Sequence, residues 1–437
     1  MIETVPAPKS AANRKLAYPF TSAEVSGFRS NVSVPEVVAL LQGIVLVPVV
    51  AWDGSAQWRI VRAIAVVATT ALVVGLQRLG SSRLASFSAW AWGATGVAVG
   101  IGIGAAHIVK AGPSIYSALA LIALVTGLIA SARTLLGLAH DRPGWRRLLL
   151  APAGLTALIL LYYPATAALI ATNTPRVDIG IGRPSDLGLA YEEVEFSAPD
   201  GVLLSGWFMP GAIGSAVVLL HGGGASSNRT AVLAHARVLV ENGYNVLAFD
   251  ARGHGRSDGD GMEWGWYGDL DVAGALDFLE SRREVDPSRI AAVGLSMGGE
   301  QAITAAASDS RVKAVVAEGA TNRVLGDDDA FLPNHPGRWV NIVADWIKYG
   351  IADWISGAEP PMPLTSAVVA VSPRPILLIT AGTVDDERRA AYNFRAASPS
   401  SVRVWNVVKA THTSGLATAP TEWETLVIGF LGEALAS

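Results

Sequence analysis

The chain has 437 residues, 51% hydrophobic and 16% charged, where an ordinary soluble domain carries roughly a quarter charged residues. With a mean hydropathy of +0.38, part of it is built to avoid water, and the length suggests two or three domains. A net charge of −4 gives no reason to expect nucleic-acid binding, and the absence of cysteine excludes disulfides, thiolate metal sites and a cysteine nucleophile.

Up to Thr172 the sequence is mostly apolar. Five stretches approach or reach the roughly 20 residues that a bilayer-spanning helix needs: Val34–Val50, Ile60–Leu76, Phe87–Val109, Ile115–Leu138 and Leu148–Ala171. None shows the polar face that a helix of a soluble bundle requires, so residues 34–172 are expected to form a membrane domain of about five spans. Gly96, Gly100 and Gly104 recur every four residues in the third stretch, which predicts close helix packing along one face.

Lys9, Arg14, Lys15 and Arg29 precede the first span. Arg78 and Arg83 follow the second, and Arg142, Arg146 and Arg147 follow the fourth. The other connections hold Arg59, Arg62 and Lys110. This bias predicts a cytoplasmic N-terminal segment, residues 1–33, and after five crossings an extracytoplasmic C-terminal half.

Residues 173–188, rich in Gly, Pro and Asp, read as a linker. Beyond it, a hairpin is predicted over 191–210. Apolar runs follow at 216–220, 245–249, 289–293, 312–317, 375–380 and 402–407. Helical patterns lie between most of them, at 229–241, 268–282, 297–307, 387–397 and 421–435. Such alternation predicts an α/β domain over 189–437, with a mostly parallel sheet covered by helices on both faces. Catalytic groups then belong in loops beyond the carboxyl ends of the strands.

Gly294-Leu295-Ser296-Met297-Gly298 stands at such a join. A serine between a buried strand and a helix, with small neighbours, is forced into a tight turn that exposes its hydroxyl. Ser296 is therefore the candidate nucleophile, and it needs a base. Among seven histidines, His412 follows the last predicted strand and precedes the last helix, where the base belongs in the chain order serine, acid, histidine. The acid is expected after the strand at 375–380, where Asp385, Asp386 and Glu387 crowd together. An oxyanion hole needs two backbone donors. Met297 N–H is one, and Gly223 N–H, in the Gly222–Gly224 loop, is the other expected donor.

The runs "LLHGGG", "FDARGHGRSDG", "GLSMGG" and "THTSG" resemble the α/β-hydrolase family, particularly its dienelactone-hydrolase and prolyl-oligopeptidase-like branch. The resemblance covers about 189–435. It implies a Ser-His-acid triad of Ser296, His412 and Asp385, with Glu387 as the alternative acid, and a structural role for Asp250 and His254. It implies no cofactor and no metal.

Residues 319–372 form an insertion where this fold often carries a cap. Its Trp339, Ile342, Trp346, Tyr349 and Trp354 fit an acyl pocket, a membrane surface or simple packing. Its Asp327-Asp328-Asp329 run reads as an exposed acidic turn. The sequence thus predicts a membrane-anchored serine hydrolase acting on a small-molecule or lipid-like carboxylic ester, with the lipid bilayer as its surroundings. A serine peptidase or acyltransferase of the same fold, and a catalytically silent receptor or scaffold, are the alternatives.

Overall fold

The computed structural model describes residues 32–51, 56–140, 144, 150–224, 228–331 and 337–436. The expected cytoplasmic segment 1–33 falls almost wholly outside these residues, as do Arg142, Arg146, Arg147 and Leu148.

Among the described residues, the first half is built on five apolar helices: α1 (Val34–Val50), α2 (Ala56–Leu79), α3 (Ser82–Ala111), α4 (Ile115–His140) and α5. The last runs unbroken through Leu150–Ala157, Leu158–Tyr162 and Tyr163–Thr172. Four of the five are long and apolar enough to cross a bilayer. The first has the expected bounds, but its 17 residues reach only about 26 Å at 1.5 Å per residue, short of a hydrocarbon core of about 30 Å.

Close approach of α3 and α4 explains the glycine repeat. A Cβ on Gly96 would lie 2.6 Å from the Ala123 carbonyl oxygen, and one on Gly100 would lie 2.3 Å from Leu124 Cβ. At Gly104 the nearest atom, Ala120 Cβ, would be 3.1 Å away. Gly127 of α4 completes the seam, since its Cβ would meet the Gly93 carbonyl oxygen at 2.5 Å. Trp92 donates its indole N–H to the Ala39 carbonyl at 3.2 Å, which satisfies a polar group in an apolar interior.

The second half is an eight-stranded sheet: β1 (Glu192–Ser197), β2 (Leu203–Met209), β3 (Ala216–Leu220), β4 (Asn245–Phe249), β5 (Ile290–Leu295), β6 (Val312–Glu318), β7 (Ile376–Ala381) and β8 (Val402–Val407). Its order is β1-β2-β4-β3-β5-β6-β7-β8. The hairpin β1–β2 and the β2–β4 pair are antiparallel, and every other pair is parallel. The α/β fold class expected from the sequence is therefore the observed one. Central strands β3, β4 and β5 are buried at every residue, as a sheet covered on both faces requires. The helices of this half include α6 (Leu233–Glu241), α7 (Gly268–Glu280), α8 (Met297–Ser308), α9 (Leu325–Phe331), α10 (Arg338–Ser356), α11 (Leu364–Val371), α12 (Asp385–Ala397) and α13 (Pro420–Leu435). The last carries fully buried Trp423, Val427 and Leu431.

The insertion supplies α9, α10 and α11. Its acidic run is not the exposed turn expected. Asp327 is buried and accepts the backbone N–H groups of Arg323 (2.9 Å) and Val324 (3.2 Å), and that of Leu364 as well. Asp328 is also buried and pairs with Lys348 at 3.3 Å. Local sequence could not foresee this, because the partners lie up to 37 residues away.

The glycine seam gives a direct test. Gly100→Val should lower the thermal stability of the full-length protein in detergent by about 1–3 kcal/mol, the usual cost of overpacking. Gly75→Val should not, because nothing lies within 4 Å of a Cβ there. Equal melting temperatures for the two variants would contradict the seam.

Candidate active site

Between β5 and α8, Ser296 adopts φ 52° and ψ −120°, a conformation that L residues avoid. Strain of this kind costs on the order of 1–3 kcal/mol and persists only where the surroundings over-determine it. They do so here. A Cβ on Gly294 would sit 2.1 Å from the Gly298 carbonyl oxygen, and one on Gly298 would sit 2.5 Å from that of His221. Only glycine fits either position, so the strand and helix close tightly and push the Ser296 side chain outward. The Ser296 N–H donates to the Glu318 carbonyl at the end of β6, at 2.7 Å.

That glutamate holds the other side of the site too. Its carboxylate accepts the Gly415 N–H at 2.7 Å and the Trp423 indole N–H at 3.2 Å. It thereby fixes the loop after β8, where Thr411 N–H bonds Ser414 Oγ at 2.9 Å and Thr413 takes φ 54°. His412 projects from this loop. Its Nε2 lies 2.9 Å from Ser296 Oγ, and its Nδ1 lies 2.7 Å from Glu387 Oε1.

The structure thus joins Ser296 and His412 as expected, but the carboxylate that meets the histidine is Glu387. Asp385 is exposed and pairs with Arg388, and Asp386 does the same with Arg389. The reason is helical geometry. The helix α12 begins at Asp385, two residues before the expected start. Two residues turn a helix by about 200°, so Glu387 faces inward when Asp385 faces water. Its second oxygen accepts the Ala381 N–H at 2.7 Å, and the side chain is 1% exposed.

Met297 opens α8, so its N–H has no acceptor within its own helix. Gly222 and Gly223 border the same space. A Cβ on Gly222 would touch Ser296 Cβ at 3.3 Å, and one on Gly223 would lie 3.7 Å from Met297 Cβ. His221 shapes this loop: Nδ1 donates to the Gly222 carbonyl at 2.7 Å, and Nε2 accepts the Ala251 N–H at 3.0 Å. These two bonds need the neutral ring, and burial lowers its pKa to about 4. His254 and His235 are likewise buried and pushed down to about 4, chiefly by desolvation. Asp250 accepts the N–H groups of Arg229 (2.7 Å) and Arg256 (2.9 Å), the structural role expected of it. His335 lies outside the described residues.

The imidazole of His412 is held above its usual pKa, first by its hydrogen bond to Glu387 and further by the charges of Glu387, Glu300 and Glu318, against a desolvation that lowers it. Glu300, one turn beyond Ser296, is buried and pushed up to about 7 by desolvation, although Thr321 and Asn322 donate backbone N–H groups to it at 2.9 and 3.2 Å. The sequence reading missed Glu318 and Glu300. A carboxylate ending the otherwise apolar run "VVAE" was the available signal for the first.

The apolar helices of the first half reach this neighbourhood. Lys110, near the end of α3, forms an ion pair with Glu263, whose N–H donates to the Ala171 carbonyl at 2.8 Å. The carbonyl oxygen of Glu263 lies 3.1 Å from where a Gly223 Cβ would be. One residue therefore touches both the glycine loop and the bundle.

A model of the alpha/beta hydrolase fold matches residues 215–356. The uncharacterized protein YfhR of Escherichia coli is 36% identical over 112 residues, which span 25% of this chain and 39% of that protein. A thiohydrolase of Aspergillus aculeatus is 37% identical over 129 residues, 29% of this chain and 40% of its own length. The chain spans less than half the length of the curated relatives it matches. Among solved structures, an esterase of Pyrococcus furiosus is 26% identical with a TM-score of 0.47, over 60% of this chain and 99% of its own. The acylaminoacyl peptidase of Pyrococcus horikoshii is 18% identical with a TM-score of 0.41, over 56% and 42%.

Replacing the carboxylate should release the imidazole. In Glu387→Gln the pKa of His412, followed by NMR on histidine-labelled protein, should fall, because the first cause of its elevation is gone. In Asp385→Asn it should stay put. A fall in the second variant and none in the first would reverse the assignment of the partner.

Proposed function

Since the C-terminal domain of this chain is an α/β hydrolase, we propose that the protein is a membrane-anchored serine hydrolase that cleaves a carboxylic ester. The observation that carries this reading is the unbroken line from Ser296 Oγ through His412 to the buried Glu387, at 2.9 and 2.7 Å, beneath a serine held in a strained turn.

In the reaction, His412 Nε2 takes the proton of Ser296 as its oxygen attacks the ester carbonyl carbon. The carbonyl electron pair moves onto oxygen, and the N–H groups of Met297 and Gly223 stabilise that charge. Collapse expels the alcohol, which receives the proton from His412 and leaves an acyl-serine. Water then repeats the sequence: His412 takes its proton, the acid departs, and Ser296 recovers its hydrogen. Glu387 holds the imidazole tautomer with Nδ1–H and stabilises the imidazolium without itself being protonated. The raised pKa of His412 has a sign. The base works when neutral, so activity rises with pH on passing a value above that of free imidazole.

The apolar helices anchor the domain, and the catalytic side is extracytoplasmic. Support comes from the ends of the bundle. Arg62 at the start of α2 donates to the Ile355 carbonyl at 3.0 Å, and Lys110 and Ala171, at the ends of α3 and α5, bond Glu263. At the opposite end, Glu36 at the start of α1 pairs with Arg78 near the end of α2 at 3.4 Å. The described chain enters the bundle on the far side from the hydrolase, beside Arg78, and the arginine and lysine bias of the sequence supports a cytoplasmic far side.

Two outcomes are expected. Ser296→Ala should abolish labelling by a fluorophosphonate probe and leave a residual rate of roughly 10³–10⁴ over water. Glu387→Gln should lose far more turnover than Asp385→Asn. Ester hydrolysis by Ser296→Ala at the unaltered rate would refute the nucleophile, and faster hydrolysis of peptides than of esters would replace the substrate class. A reporter active only outside the cytoplasm, fused after residue 437, should work, and one active only inside should not.

A further inference from the structure

Helix α10 carries an apolar face that no other described residue covers. Trp339, Trp346 and Trp354 are 63%, 67% and 75% exposed. With exposed Val343 and Gly350 between them, they recur at intervals of three and four. At about 100° per residue these five positions share a sector of less than a quarter of the helix circumference.

Two of its charges lie away from this face, while exposed Asp353 stands at its edge. Lys348 pairs with Asp345 at 2.8 Å and with Asp328 at 3.3 Å, and all three side chains are largely buried. Lys348 also sits 4.2 Å from the Tyr349 ring centre. Tyr349 and Ala352 pack into a cluster with Ala168 of α5, Met262, Trp266 and Val324. Burying Asp345 and Lys348 while presenting three indoles is the reverse of what a helix facing water does.

Its position says what covers the face. α10 packs lengthwise along α5, against both Leu158–Tyr162 and Tyr163–Thr172. Its carboxyl end is tied to the start of α2 through Arg62 and the Ile355 carbonyl. The tryptophan face therefore lies beside helices that expose apolar side chains of their own: Leu155, Leu158 and Tyr163 on α5, and Ile60, Val61 and Ile64 on α2. Tryptophan concentrates at the boundary between acyl chains and headgroups, where its ring is apolar and its N–H is wet.

We propose that α10 is a bilayer-docking helix: its Trp339, Trp346 and Trp354 face enters the leaflet on the hydrolase side, and lipid is its partner. This goes beyond the anchoring by α1–α5, on which it rests. The cap of the hydrolase is then itself part of the lipid-contacting surface.

The natural absence of cysteine makes the test clean. Single cysteines replace Trp339, Trp346, Trp354, Ile64 of α2 and the exposed Tyr392 of α12 in the full chain. Each carries a bimane fluorophore, and each variant is reconstituted into phosphatidylcholine vesicles. Retained fluorophosphonate labelling identifies folded protein, and exposed positions of this kind cost little stability. Nitroxide on the lipid acyl chains should quench the three α10 positions to the same degree as Ile64, and aqueous iodide should quench only Tyr392. Iodide quenching at the three positions, with lipid quenching confined to Ile64, would place α10 in water and overturn the proposal. Protection from both quenchers would mean a protein partner or second copy, and would overturn it equally. Failure at Ile64 as well would remove the anchoring and the docking together.

Discussion

The site depends on the contact between Gly294 and Gly298. A Cβ on Gly294 would collide with the Gly298 carbonyl, one on Gly298 would collide with the carbonyls of Leu220 and His221, and the residue Ser296 between them is driven to positive φ. That conformation costs free energy, and sheet burial on both faces offsets it. In return the nucleophile is fixed where the carboxyl end of β5 meets the N-terminus of α8. Loosening either glycine would let the hydroxyl fall back toward the sheet.

Around this fixed point the second partner is brought in by Glu318. Its carbonyl holds the Ser296 N–H, and its carboxylate holds the Gly415 N–H three residues beyond His412. One residue at the end of β6 therefore sets both the nucleophile and the loop of its histidine. Burial raises the pKa of this carboxylate, while the donated N–H groups of Gly415 and Trp423 lower it. The donors satisfy a group that would otherwise be costly to bury.

The two halves of the chain meet through polar groups withdrawn from water. Glu263 bonds Lys110 and lies against Gly223, Arg62 reaches the end of α10, and the ions of α10 neutralise one another. Ion pairs at a junction such as this specify register more than they stabilise, because desolvation cancels much of the Coulomb gain. The result is an indole face on α10 beside apolar helices, with exposed Asp353 at its edge.

Much of this was legible in the chain alone. Helix and strand patterns depend on periods of 3.6 and 2, which are local, so the apolar helices, the alternating α/β half and the turn at Ser296 follow from neighbouring residues. The glycine repeat of α3 was readable for the same reason. What the sequence left open depended on distance. Asp385, Asp386 and Glu387 are chemically alike and adjacent, and only the start of α12 decides which one turns inward to His412. Asp327 and Asp328 of the insertion are buried because Leu364 and Lys348 reach them from elsewhere. Glu318 acquired its role from Gly415 and Trp423, about a hundred residues away. Composition and spacing determine which groups the protein has and which element carries them. Tertiary structure alone decides which face each group presents, because a single residue rotates a helical side chain by about 100° and no local signal fixes that phase.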